Sequence, residues 1–508
     1  MMQQHSEVHF NGGLDLINPI SRSQPGVVRG AKNMEADDGG YRRVVGYERF
    51  DGRLAPSEGG DRALIEAVPG NGPVTGVFQS GASVYAWRNN ADDSATIIYK
   101  ASAMGWQAIT HPALGPNARV KVLEYNFYGS PDKKRLYIVD GVNPVYEINP
   151  FTDAVTVIKT DTESFAQHIA AFNNQLFVSY VGGSLQFSDV GTPSGWDPAN
   201  ALGAGEIAIG ADITNLQETA AGSLLITSEG KAWALTGTDI DNFNLDLITD
   251  DLGAEPHCLS SMGAPFAWSD SGLISFARVQ EHGGWRAATP NRLADPILKL
   301  RSFTDAMQVR GRNVIRFFTG SVHQISVFFP VGAAPQIMPL EFPHAMTAGY
   351  TCKDDQGKEQ VYACGADGVV YHLERGTSFD GQSIEWFVNP IYFGLGSPTV
   401  RKSFRRVELS IMATKPVSLF VAASLDYGTE RDSAAQTQVA QSGGGLWNAA
   451  NWNEFIWSAG SLANPFVSIE GTGRNISLTI AGSSDSEESF TLSSATIFYL
   501  PRRQTRGK

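Results

Sequence analysis

The chain is poor in cysteine, in positive charge and in long apolar runs. Three cysteines, Cys258, Cys352 and Cys364, occur in 508 residues. The number is odd and no two stand in C-x-x-C spacing, so a disulfide framework is not expected and synthesis in a reducing compartment is. Lys and Arg number 39 against 52 Asp and Glu, a formal charge of −13. That balance argues against tight wrapping by nucleic acid, because phosphate binding draws on Lys and Arg to release counterions. It leaves room for a passage along which DNA slides without sticking. No run of about 18 uninterrupted apolar residues exists, so no membrane span is expected. The start, Met1-Met2-Gln3-Gln4-His5, lacks the basic-then-apolar order of a secretory signal. Convincing helical periodicity is also scarce. The segment from Phe165 to Phe172 reads as a helical turn or as the first strand of a sheet.

What the chain has is a recurring strand. Ser83-Val84-Tyr85-Ala86-Trp87 is followed by Arg135-Leu136-Tyr137-Ile138-Val139 and Gln175-Leu176-Phe177-Val178. Ser223-Leu224-Leu225-Ile226, Leu273-Ile274-Ser275-Phe276, Val314-Ile315-Arg316-Phe317 and Gln360-Val361-Tyr362-Ala363 continue the series. Steps of roughly 40–52 residues between strand-like units are the mark of β-propeller blades. One module holds four strands: Pro73 to Phe78, Ser83 to Trp87, Thr96 to Tyr99, and Trp106 to Ile109. The expected fold is therefore all-β, a propeller of six or seven blades over residues 61–380 with a β-sandwich-like domain over 381–508. The C-terminal part has longer alternating strands, such as Phe404 to Leu409 and Asn475 to Ile480. Residues 1–60 do not match the repeat. They carry equal numbers of basic and acidic residues through Pro56, which disfavours a DNA-binding tail. They read as an ordered docking arm or as a strand that closes the propeller.

Catalytic chemistry is hard to find. His5 and His9 stand four apart, a metal spacing only on a helix, and nothing around them is helical. Cys352, Cys364 and His372 lack a fourth ligand and read as small buried residues. No Gly-x-Ser-x-Gly elbow and no phosphate-cradling Gly-x-x-x-x-Gly-Lys-Ser/Thr loop occurs in a suitable context. Ser424-Leu425-Asp426-Tyr427-Gly428-Thr429 resembles half of a sialidase Asp box, once and outside the repeats. Trp447, Trp452 and Trp457 are five apart, which alternates faces along a strand, so loop anchors are favoured over a stacking platform. No metal, cofactor or catalytic residue is assigned, and an enzyme is not expected. Between Lys231 and Arg278 there is no Lys or Arg, while Asp239, Asp241, Asp246, Asp250, Asp251 and Glu255 fall there. This stretch is a solvated loop or the acidic wall of a channel.

The two ends carry a family likeness. Gly12-Gly13-Leu14-Asp15-Leu16, Ala31-Lys32-Asn33-Met34-Glu35 and Gly40-Tyr41-Arg42-Arg43-Val44-Val45-Gly46-Tyr47 resemble the start of tail proteins of double-stranded DNA phages. Phe404-Arg405-Arg406-Val407-Glu408-Leu409, Asp426-Tyr427-Gly428 and Gly473-Arg474-Asn475-Ile476 resemble the same group. The whole looks like the tail nozzle of a short-tailed phage. The resemblance implies a structural virion protein, made in the host cytoplasm and placed in the virion tail. It implies a homohexameric ring that is a conduit and candidate gate for genomic DNA, which passes without tight binding. It also implies the portal and adaptor complex, and tail fibres or a tail needle, as partners. Asp239, Asp241, Asp246, Asp250, Asp251 and Glu255 then become candidate channel lining. Arg42, Arg43, Arg405 and Arg406 become candidate assembly contacts. The alternatives are a propeller enzyme that degrades polysaccharide and a tail module that binds host glycan.

Overall fold

A computed structural model describes residues 3–502 except 161, 163, 201–202, 279–284, 299–300, 429–433 and 441–461. Among the described residues, seven antiparallel blades of four strands follow one another around an axis. Blade 1 comprises Asn71–Ser80, Ser83–Asn89, Thr96–Ser102 and Gly105–Ala108. Blades 2, 3 and 4 begin at the inner strands Lys121–Tyr125, His168–Phe172 and Asn215–Glu218. Blades 5 and 6 begin at Leu259–Met262 and Asp305–Val309. Blade 7 takes three strands from Met346–Lys353, Glu359–Gly365 and Val370–Leu373. Its fourth is Tyr47–Phe50, paired Tyr47 to Leu373, so an N-terminal strand closes the ring. Lys353 bridges Ser80, which joins the inner strands of blades 7 and 1. No helix among the described residues is long and apolar enough to cross a membrane.

The recurring phrase falls on the second strand of six blades, and that strand is buried on both faces. Arg135–Val139, Gln175–Tyr180 and Val314–Phe318 are buried along all or nearly all their length. A strand sandwiched between neighbouring blades has no polar face, hence its continuous apolar run. Blade 5 departs from the pattern. Leu273 to Phe276 lies on its third strand, Gly272–Arg278, and the second strand is Ala264–Ser269. Pro265 and three alanine or serine neighbours make that second strand a weaker strand signal. Phe165 to Phe172 resolves as a strand, the inner one of blade 3.

Residues 1–60 are not a separate arm. Gln4–His9, Met34–Asp37 and Gly40–Arg43 join Thr491–Pro501, Lys402–Met412, Leu462–Ala463 and Phe466–Gly473 in one sheet. Val28–Lys32 joins Ile384–Pro390, Ile476–Ser484, Val417–Leu425 and Gln436–Ala440 in the other. These two sheets form the sandwich. Along Val417–Leu425 the odd-numbered residues are buried and Ser418 and Phe420 face out, the period of two expected of a half-buried strand. The propeller is thus inserted between the first and last strands of the sandwich.

The two parts share a core that runs from the sandwich into blades 5 to 7. A buried ionic network crosses it. Arg316 on blade 6 donates to Glu35 of the strand Met34–Asp37 at 2.9 Å and to Glu374 at 2.5 Å. Ser326 donates to the same Glu35 oxygen at 2.7 Å, and Arg312 donates to Glu374 at 2.9 Å. Arg316 and Glu35 are only 2% and 5% exposed. Arg316 holds the Glu35 carboxyl below the usual range, against the opposing push of burial.

Candidate functional site

The inner strands of successive blades bring polar residues together at the axis. Asp305 opens the inner strand of blade 6 and is fully buried. Its Oδ1 meets Lys121 Nζ at 2.7 Å and Arg119 Nη2 at 3.1 Å, both supplied by blade 2 and the loop before it. Its Oδ2 accepts from the Gly349 amide of blade 7 at 2.9 Å. Tyr350 then donates to the Val120 carbonyl at 2.5 Å. One carboxylate therefore ties three blades together, and the two cations that reach it plug the axis.

Beside this plug lies a cavity of about 540 Å³, open on the face that carries the loops between blades. His168, the first residue of the blade 3 inner strand, and His257, in the loop before blade 5, line it with their rings 4.8 Å apart. Burial pulls the His168 pKa down to about 3, with Lys121 and Arg119 adding to the shift. Burial also holds His257 well below the usual range, helped by Lys121, His168 and Arg119. Both imidazoles are neutral at pH 7, so each offers one N–H and one acceptor nitrogen. The His168 imidazole makes no hydrogen bond to any described residue. Cys258, next to His257, is buried, and burial pushes its thiol well above the usual range. Sequence reasoning missed this site because its members are dispersed one blade apart. The available signal was a polar residue at the start of several inner strands.

The six acidic residues do not converge there. Asp239 and Asp241 sit in the turn before the outer strand of blade 4, where Asp239 Oδ1 accepts from the Asp241 amide at 3.1 Å. Asp246 lies on that outer strand, Asn244–Thr249, and Asp250 and Asp251 follow it, all three exposed. Glu255 is separate. Its Oε2 accepts from the Phe303 amide at 3.2 Å, and burial raises its pKa. Five of the six therefore mark the outer edge of blade 4. Glu255 belongs to a small pocket of about 330 Å³ beside Trp268 and Arg301.

The four arginines also divide. Arg43 is fully buried, donates to the Glu487 carbonyl, and is pulled down to about 10 by burial. Its guanidinium is thus inside the fold and not offered to a neighbour, a correction to its reading as an assembly contact. Arg42 is half-buried and holds Asp37 at 3.1 Å and Ser489 at 3.3 Å. Arg405 and Arg406 are adjacent yet both exposed. A bulge between Phe404 and Arg406 explains this, since the extra residue breaks the alternation of faces. The Arg406 guanidinium lies 4.2 Å from the Phe498 ring centre and Arg405 stands clear of it.

The remaining candidates have structural surroundings. Cys352 and Cys364 lie on neighbouring strands of blade 7, free and buried, with burial pushing Cys352 up to about 12. His372 pairs with Gln360 at 2.9 Å. Among the described residues no group of three or more His, Cys, Asp or Glu could hold a metal ion. His5 and His9 lie on the strand Gln4–His9. Asp426 and Tyr427 form a turn with positive φ, and Asp426 accepts from the Arg474 amide at 2.5 Å. Trp447, Trp452 and Trp457 lie outside the described residues.

No family model and no curated protein matches the chain. Solved structures resemble its fold. The structure of U3-55K is 11% identical with a TM-score of 0.45, covering 62% of this chain and 99% of that one. The WD40 repeats of RRP9 are 10% identical with a TM-score of 0.45, covering 64% and 99%. The virginiamycin B lyase of Staphylococcus aureus is 10% identical with a TM-score of 0.39, covering 59% and 94%. The likeness is one of propeller fold alone.

Proposed function

We propose that the chain is a structural subunit of a phage tail nozzle, a ring that conducts genomic DNA between the portal and adaptor complex and the tail tip. One observation carries the reading. Segments near both ends that resemble phage tail proteins lie in one sheet of the sandwich, where Gly40–Arg43 and Lys402–Met412 both pair with the strand Thr491–Pro501. Segments hundreds of residues apart that share a likeness thus belong to one physical unit, with the propeller as its insertion.

The propeller axis is plugged by Arg119, Lys121 and Asp305, so the conduit in this reading lies between copies. A closed six-fold ring uses two different surfaces of each subunit. The acidic outer edge of blade 4 is the proposed lumen wall, where like charge keeps phosphates from adhering. Exposed Arg405 and Arg406 are the proposed subunit contacts. Electron microscopy of the protein with its cognate portal and adaptor complex tests this. Six-fold rings below the adaptor are expected; a protein that stays monomeric and never joins the complex would sink it. Turnover of a host polysaccharide, abolished by one pocket substitution, would favour an enzyme instead.

A further inference from the structure

We infer that the cavity beside the propeller axis is a binding site for a small neutral polyol of the size of a sugar. Its volume of about 540 Å³ lies within the roughly 300–1,000 Å³ of small-molecule sites. Three blades and the loops between them build it, and its parts are fixed from within the fold. Asp140 spends its carboxylate on the Val142 and Asn143 amides at 3.0 and 2.7 Å and on the Asn143 side chain at 2.8 Å. Asp212 accepts from the Gly182 amide at 2.6 Å, which latches one rim loop to the turn that carries Val181.

The charge pattern selects against ions of either sign. Asp140, Asp212 and Glu229 face an incoming anion, and the deepest cation, Arg119, is already paired with Asp305. Arg119 and Lys231 line the cavity against a cation, with Lys121 behind them. Glu229 and Lys231 stand exposed at the rim, and the less exposed groups left with hydrogen-bonding capacity are neutral. His257 Nδ1 is buried in the lining without a partner, and the His168 side chain, 6% exposed, has no hydrogen-bond partner among the described residues. The Gln167 side chain beside it is likewise unpartnered. A neutral imidazole and an amide each present a donor and an acceptor, and a hydroxyl is the group that answers both. A buried polar group without a partner costs stability, so a ligand that supplies one gains it. Among the described residues the lining contains no Phe, Tyr or Trp, so recognition here runs through hydrogen bonds and not through stacking of a flat aromatic ligand.

The site stands on the propeller alone, so its failure leaves the assembly reading untouched. The test is isothermal titration calorimetry of the full chain with D-glucose, D-galactose, N-acetylglucosamine and L-rhamnose, and with inorganic phosphate and ethylenediamine as charged controls. Two variants probe the site. Val181→Trp fills the mouth from an exposed turn, Val181 being 68% exposed. His168→Phe keeps a ring and removes both nitrogens; unchanged thermal unfolding certifies its fold. Saturable binding of at least one sugar is expected, abolished by Val181→Trp and weakened about tenfold by His168→Phe. The inference is overturned if no sugar binds up to ~10 mM, well above a millimolar Kd. It is also overturned if only a charged control binds, or if both variants bind like the parent.

Discussion

At the scale of single residues, the buried groups set the behaviour. Arg316 serves two carboxylates at 2% exposure. Removing one partner of a buried pair strands the other, at a cost of about 3–5 kcal/mol. Arg316→Met should lower the free energy of urea unfolding by that amount. Lys415→Met, which breaks the exposed contact to Glu488 at 2.7 Å, should change it by less than about 1 kcal/mol. The histidines give a pH dependence with a definite sign. Folded His168 takes up a proton near pH 3, against an ordinary value of 6.5. Below pH 6.5 the unfolded chain therefore binds more protons, and stability falls as pH falls, by roughly 1.4 kcal/mol per unit per histidine. The contribution is complete above 6.5 and lost progressively toward 3. Denaturation series at pH 7.5 and 5.5 should show a smaller difference for His168→Phe than for the parent. Cys258, Cys352 and Cys364 are buried with raised pKa values. They should resist a thiol reagent at pH 8 until the protein unfolds, when all three react.

At the scale of elements, the N-terminal segment holds the structure closed. Tyr47–Phe50 is the last strand of blade 7, and four earlier strands complete the sandwich. A chain starting at residue 61 should lose the closure of both parts. Aggregation or loss of a cooperative thermal transition is expected; a soluble, cooperatively folding truncation would show that residues 1–60 are dispensable. Closure of the propeller was one of the two readings the sequence left open for residues 1–60, and Tyr47–Phe50 fulfils it; the strands given to the sandwich were not legible. The partners are remote, as Gln4 is to Tyr499, and a strand's own pattern does not say which edge it joins. The blades were legible because their second strands are buried on both sides, as Val314–Phe318 is throughout. The exception proves the physics: blade 5 was read one strand late because its true second strand contains Pro265. The axial cavity was invisible for a different reason. Arg119, His168, His257 and Asp305 are each ordinary in their local sequence, and only the circular closure of the blades makes them neighbours.

At the scale of the molecule, charge and shape point outward. In the proposed six-copy assembly a chain at −13 would make a strongly acidic ring, with the exposed edge of blade 4 as the proposed lining. Asp246, Asp250 and Asp251 changed together to Asn should slow or stall DNA ejection while rings still assemble. Unchanged ejection kinetics would remove these residues from the lumen without touching the fold. The most direct measurement of the central proposal is an electron microscopy reconstruction of the protein bound to its portal and adaptor complex. The account predicts a six-fold ring with the outer edge of blade 4 facing the passage and the plugged propeller axes clear of it. A complex that recruits no ring, or a ring in which the blade 4 edge faces away from the passage, would contradict it.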